Sequence, residues 1–319
     1  IGVGLVGSEM CIRDRHNNAI FTYMKEVGYS NTILKSHDET SLVIYEWSVP
    51  NPKAYIHLVH GMSEHAARYD HFAKWLNDKG YFVYSSDLRG HGKTAGDLSK
   101  VGFFAFDKGW DKVVSDLKLI HESYKHKSPT LSHIIMGHSM GSLLVRSLAI
   151  DHPKIGDGYI LSATSGHPGI KGIGGEPLAK MLGFLTGKKN KSKLLQDITY
   201  ADFNKRIKNK KSNKDWLSRD ENVVNEYLND PYCMQIFSNQ FFADLAHGVL
   251  ITNNVERMKK MNKSTPVLLL SGANDPVGLY GKGVEEVFHK MQKANLHDVE
   301  LKIFKDGRHC LLYTSDAAD

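Results

Sequence analysis

The pentapeptide Gly137-His138-Ser139-Met140-Gly141 lies directly after the apolar run Ile134-Ile135-Met136 and directly before a helix-like stretch from Ser142 to Ile150. A G-x-S-x-G segment between a strand and a helix is a nucleophile elbow. Its two glycines permit a turn so tight that the serine is strained and its hydroxyl stands clear of the backbone. The helix N-terminus behind it offers N–H groups and a positive dipole end to a developing oxyanion. A chain carrying this segment has to supply a sheet for the strand and a layer for the helix.

Both ends of the chain are set aside before the pattern is read further. Met10-Cys11-Ile12-Arg13-Asp14 is encodable as ATG TGT ATA AGA GAC. The reverse complement, extended by a few bases, reads TGT CTC TTA TAC ACA and encodes Cys310-Leu311-Leu312-Tyr313-Thr314. Two unrelated protein ends have no reason to be reverse complements of one DNA segment. Residues 1–15 and 310–319 are therefore expected to be the translated transposon end used in sequencing-library adapters, with a native start near Met24 and native sequence cut off just after His309. Gly2-Val3-Gly4-Leu5-Val6-Gly7 fits a dinucleotide fingerprint by its letters, but it has no preceding strand and falls in this excluded segment.

About 290 residues remain, enough for one large α/β domain with an insertion or for two small domains. Hydrophobic residues make up 41% and charged residues 24%, the balance of a globular protein. Of the three cysteines only Cys233 lies outside the excluded ends, so no disulfide framework is available and a reducing, cytoplasmic setting is expected. No apolar run reaches membrane-spanning length. The net charge of +6 is uneven: twelve Lys or Arg between Ser165 and Lys214 face only Glu176, Asp197 and Asp202. This excess reads as a solvated helical face or as attraction to an anionic membrane surface. Nucleic acid is disfavoured, because no stacking aromatics interleave with the lysines.

Strand-like runs at Leu42–Trp47, Tyr55–Val59, Tyr81–Ser85, Tyr159–Ser162, Val267–Ser271 and Glu300–Phe304 alternate with helical patterns at Tyr69–Lys79 and Trp110–Tyr124. Strands separated by helices predict βαβ units and a mostly parallel sheet. The rhythm breaks between Ser165 and Lys263. The expected organisation is a core in two parts, 24–164 and 264–309, with a lid or cap insertion at 165–263 above the carboxyl ends of the strands.

His60-Gly61-Met62-Ser63-Glu64-His65, Asp87-Leu88-Arg89-Gly90-His91-Gly92, the elbow, Gly272-Ala273-Asn274-Asp275-Pro276-Val277 and Gly307-Arg308-His309 each follow a strand-like run. In this order they resemble the α/β-hydrolase superfamily, and within it the monoacylglycerol lipase and lysophospholipase-like serine hydrolases. The similarity spans roughly Tyr29 to His309, and the final helix that the family carries after the histidine is missing. The resemblance implies an α/β-hydrolase fold with a helical lid.

The chain order Ser139, Asp275, His309 is the order this fold uses for nucleophile, acid and base. Ser139 is expected to attack an ester carbonyl, His309 to relay the proton, and Asp275 to hold the imidazole. Asp244 competes for the acid role, but Asp275 directly follows a strand. The resemblance also implies an oxyanion hole made of the Met62 and Met140 N–H groups, with Gly61 admitting a close approach; ordinary pocket filling by both methionines is compatible with this. His60 and His138 are expected to be supporting hydrogen-bonders, His91 a packing residue, and Glu64 and His65 either mouth or loop residues. His121-Glu122 with His126 misses the zinc-helix spacing by one residue, and Gly92-Lys93-Thr94 lacks the first glycine of a phosphate loop, so neither a metal nor another cofactor is expected.

Ile170, Leu178, Met181, Leu182, Phe184 and Leu185 show helical spacing, as packing residues of the insertion or as the lining of an acyl tunnel; Phe237, Phe241 and Phe242 divide the same way. The expected activity is hydrolysis of a monoacylglycerol or lysophospholipid. A serine aminopeptidase with the same triad is the enzymatic rival, needing an acidic anchor such as Glu176, Asp202 or Glu221. A non-catalytic, ligand-binding relative is the other. Serine at the elbow speaks against dehalogenase and epoxide hydrolase chemistry.

Overall fold

The computed structural model describes residues 24–26, 28–167 and 174–311. Nine strands form one sheet: β1 (Met24–Glu26), β2 (Tyr29–Lys35), β3 (Ser41–Trp47), β4 (Ala54–Val59), β5 (Tyr81–Ser86), β6 (His133–His138), β7 (Gly158–Ser162), β8 (Val267–Gly272) and β9 (Val299–Phe304). Their order is β1-β2-β3-β5-β4-β6-β7-β8-β9. The pairs from β1 to β5 are antiparallel, and those from β5 through β9 are parallel. This is the mostly parallel sheet of the α/β-hydrolase fold.

Residue alternation along the central strands explains why both faces are covered. On β6, Met136 enters a core with Ile56, Leu58, Ala73 and Leu76 from β4 and α1 (Asp70–Asp78). Its neighbour Ile135 points the other way, into the core built by α2 (Gly109–Lys127) and α3 (Met140–Asp151). Strands buried on two faces read as continuous apolar runs, as Ile134-Ile135-Met136 does. Helix α3 begins at Met140, two residues before the sequence pattern suggested.

Between β7 and β8 lie α4 (Gly175–Thr186), α5 (Lys193–Tyr200), α6 (Glu221–Asn229), α7 (Asn239–Thr252) and the short α8 (Val255–Met258); α9 (Lys282–Lys293) follows β8. Phe237, Phe241 and Phe242 sit in the main core, so packing accounts for them. Leu178 and Leu182 pack against that core as well, whereas Met181, Phe184 and Leu185 are exposed. Ile170 lies outside the described residues, as do residues 1–15 and 312–319 of the end segments. Cys310 and Leu311 are described and buried, and the Cys310 N–H donates to Leu217 O.

Two buried side chains tie the chain just after β7 to the end of α7. Arg146, on α3, donates from Nη1 to Ser165 O (3.0 Å) and from Nη2 to Thr252 O (2.7 Å) and Asn253 Oδ1 (3.1 Å). Asn253 Nδ2 donates to Gly166 O (3.2 Å). A guanidinium at the carbonyl end of α7 complements the helix dipole. Burial pulls its pKa down to about 9.

Candidate active site

Ser139 directly follows β6 with φ 53° and ψ −121°, a backbone conformation that an L-residue holds only under constraint. The constraint is visible on both sides. Ser139 N donates to Ser162 O (2.9 Å), and Ser139 O accepts from the Ser142 N–H (2.9 Å) and hydroxyl (2.6 Å). A Cβ at Gly137 would meet Gly141 O at 2.5 Å, and a Cβ at Gly141 would meet Val59 O at 2.2 Å. Both glycines are thus required by backbone crossing, and they let α3 pass directly over the end of β4.

The loop after β4 approaches the serine equally closely: a Cβ at Gly61 would lie 3.0 Å from Ser139 Cβ. Glu64 holds that loop by accepting hydrogen bonds from the Gly61 N–H and from the Tyr69 hydroxyl (2.9 Å). His60 is fully buried, and its tautomer is set by its partners. Nε2 accepts from the Leu88 N–H (2.9 Å), so Nδ1–H donates to Gly61 O (2.8 Å). Burial holds its pKa well below the ordinary histidine value. Asp87 accepts from the Ala66 N–H (2.8 Å), the Lys93 N–H (2.7 Å) and the Tyr45 hydroxyl (2.9 Å), joining this loop to the Asp-Leu-Arg-Gly-His-Gly turn. Met140 is the first residue of α3, so its N–H has no intrahelical acceptor. It lines the same cavity as Met62.

His309, after β9, places Nδ1 3.0 Å from each carboxylate oxygen of Asp275, after β8. Asp275 is completely buried, and Oδ1 also accepts from the Val277 N–H (2.9 Å). The imidazole lies between the rings of His138 (4.8 Å between centroids) and Trp216 (5.0 Å). Burial first, and the His309 ring second, bring His138 down to about 3. Asp244 lies on α7, accepting from Gln240 Nε2 (3.0 Å), with burial raising its pKa to about 6; it does not reach His309. Ser139 and His309 share the cavity without a hydrogen bond between them, and such bonds often tighten only when substrate binds.

The cavity has a volume of about 300 Å3 and is mostly apolar, with Leu143, Phe203, Trp216, Leu217, Leu245 and Val249 on its walls. None of Leu178, Met181, Leu182, Phe184 or Leu185 lines it, so the tunnel-lining reading of those residues is corrected: the wall comes from α3, α7 and the segment around Trp216. Trp216, Leu217, Leu245 and Val249 have no sequence signal, because nothing local marks them as facing a serine about eighty residues upstream of the first two and more than a hundred upstream of the others. Among the described residues lining the cavity, Glu64 is the one that carries a formal charge; no Lys or Arg does. Of the other histidines, His91 donates from Nδ1 to Arg89 O (2.9 Å) and packs on Phe237, and His65 pairs with Asp230 (2.8 Å).

No helix among the described residues is long and apolar enough to cross a membrane. Residues 50–316 match the family described as "Serine aminopeptidase, S33". The chain is 28% identical over 265 residues to the monoglyceride lipase homolog of Monkeypox virus, covering 83% of this chain and 84% of the relative. It is 26% identical over 237 residues to the monoacylglycerol lipase of Mycolicibacterium smegmatis, covering 73% and 75%. In structure it is similar to a thermostable carboxyl esterase from Bacillus coagulans in complex with glycerol, with a TM-score of 0.84, 26% identity and 92% and 95% of the two chains covered. The chain belongs to the serine aminopeptidase S33 family of α/β-hydrolases, on its monoglyceride lipase-like side, and is a hydrolase of the lipase and esterase type.

Proposed function

We propose that the protein is a serine carboxylic-ester hydrolase that cleaves a monoacylglycerol or lysophospholipid through an acyl-enzyme on Ser139. The observation that carries this reading is that His309, held by the buried Asp275, lines the same apolar cavity as the strained Ser139. His309 Nε2 takes the Ser139 proton as Oγ attacks the ester carbonyl. The Met62 and Met140 N–H groups receive the oxyanion, and Asp275 stabilises the imidazolium. The tetrahedral intermediate then collapses, the C–O bond breaks, and His309 hands its proton to the departing alcohol. Water activated by His309 hydrolyses the acyl-enzyme in the second half. His60, His138 and Gly61 support the reaction by fixing the loops that carry these groups.

Of the two lipid classes, the cavity favours the uncharged acylglycerol, since no lysine or arginine among its described lining residues would meet a phosphate. The acidic anchors expected for an aminopeptidase lie elsewhere: Glu176 pairs with Lys180 (2.6 Å), Glu221 pairs with Lys211, and Asp202 is exposed; none of the three lines the cavity, and Glu64, which does, is engaged by the Gly61 N–H and the Tyr69 hydroxyl. Exposed Met181, Phe184 and Leu185 on α4, with Lys180, Lys188 and Lys189 close in sequence, support transient contact with a lipid surface from the outside of the lid. A cytoplasmic location, ester hydrolysis that uses no catalytic metal, and no nucleic-acid partner complete the proposal. The test is serine-dependent release of fatty acid from mono-oleoylglycerol, from lysophosphatidylcholine and from a short-chain ester.

A further inference from the structure

Three donors of different chemistry converge where the lid returns toward the loop after β4. His65 is the last residue of the His-Gly-Met-Ser-Glu-His segment, Asp230 terminates α6, and Cys233 lies three residues further on. One ligand atom from each lies within 4.8 Å of the others. Among the described residues this is the one group of three or more such donors. It lies 165 residues apart in sequence between His65 and Asp230, so no spacing motif announces it.

The donor set is specific. An imidazole, a carboxylate and a thiol suit zinc, which takes nitrogen, oxygen and sulfur ligands tetrahedrally. Tetrahedral coordination at ordinary zinc distances puts ligand atoms about 3.3–3.6 Å apart, so closing on the ion requires shifts of roughly 1 Å. The outer contacts already orient the ligands. Asp230 Oδ1 accepts from the Tyr232 N–H (2.9 Å), leaving Oδ2 directed at His65 Nε2 (2.8 Å), and the His65 ring packs edge-on against Tyr232 (5.7 Å). Partners of this kind fix ligand orientation in metal sites. His65 and Asp230 are partly open to solvent, which gives the ion a route in, while Cys233 is buried behind them. A thiolate and a carboxylate would neutralise a divalent ion with neutral His65. The thiol proton leaves to solvent as the sulfur–metal bond forms.

We infer that His65, Asp230 and Cys233 form a zinc site, with a fourth position for water, that joins the lid to the loop carrying Gly61 and Met62. It stands apart from Ser139 chemistry and requires no catalytic role for the metal. The test uses the full chain titrated with cobalt(II), followed by the sulfur-to-metal charge-transfer band, and with zinc in competition with a chromophoric chelator. One equivalent is expected to give the band. Cys233→Ser removes it, Cys310→Ser keeps it, and His65→Gln and Asp230→Asn each weaken zinc by at least about tenfold. Zinc also raises the unfolding midpoint of the unsubstituted chain. Retention of the band in Cys233→Ser, or unchanged zinc affinity in folded His65→Gln and Asp230→Asn, overturns the assignment; so does the absence of any band in the unsubstituted chain.

Discussion

His309 Nδ1 sits 3.0 Å from both oxygens of Asp275, across 34 residues of intervening chain. The two residues follow adjacent parallel strands, β8 and β9, so the sheet itself sets their separation. A Cβ at Gly272 would meet Gly307 O at 2.2 Å, which shows how closely the two loops cross beneath the pair. If Asp275 holds the imidazole as proposed, Asp275→Asn loses about 10⁴ in kcat while the fold survives. Steady-state kinetics beside a thermal melt check this; a loss below tenfold with an intact fold would remove Asp275 from the mechanism.

Gly141 is held to glycine by Val59 O and His60 O, both backbone atoms that cannot swing away. Gly141→Ala is expected to cost about 1–3 kcal/mol or more through overpacking. Gly183, inside α4, meets nothing nearer than 3.7 Å, and Gly183→Ala should gain up to about 1 kcal/mol from helix propensity. Denaturant midpoints of the two variants should move in opposite directions.

Several buried histidines make the fold sensitive to acid. Burial, followed by the nearby His133, brings His121 to about 4, and burial brings His91 to about 4. His57 is driven well below the ordinary value by burial, and neither of its ring nitrogens has a hydrogen-bond partner. These groups stay neutral in the folded chain, whereas the unfolded chain takes up protons near 6.5. Their contribution to stability is complete above pH 6.5 and is lost as pH falls toward 4. Asp244, raised to about 6, has the opposite sign between 6 and 3.8 and offsets part of the loss. The unfolding midpoint is expected to fall steadily from pH 6.5 to 4.5. A flat or rising profile would contradict the burial of neutral histidines.

Phe184 is 89% exposed and Leu185 67% exposed, so neither contributes to the core. Replacing both with serine should leave the melting temperature unchanged. If they enter a lipid surface, hydrolysis of mono-oleoylglycerol in anionic vesicles falls by about tenfold or more, since burying one such side chain is worth about 1.5–3 kcal/mol. Hydrolysis of a soluble short-chain ester should be unaffected. Equal loss on both substrates would place these residues in catalysis or folding instead.

The fold, and the strand ends on which Ser139, Asp275 and His309 fall, were legible because they depend on local pattern. The elbow, the acid after β8 and the histidine after β9 each sit at a strand end flanked by glycine, and parallel strands bring such ends to one edge. Contacts set by packing were not legible. Arg146 joins Ser165 to Thr252 and Asn253 across more than a hundred residues. Arg89 is enclosed by Asp116, Asp38, Ser36 and Thr40, a network with no sequence signature. The apolar residues of α4 misled for a related reason. Helical spacing identifies one face of a helix, but it does not say whether that face meets core, cavity or solvent.

The most direct measurement compares the chain with its Ser139→Ala variant for fatty-acid release from mono-oleoylglycerol, lysophosphatidylcholine and a short-chain ester. The account predicts release that depends on Ser139 and favours the glycerol ester over the phospholipid. No release beyond the Ser139→Ala background on any of the three, from a chain shown to be folded, would contradict it and turn attention to peptide substrates or ligand binding.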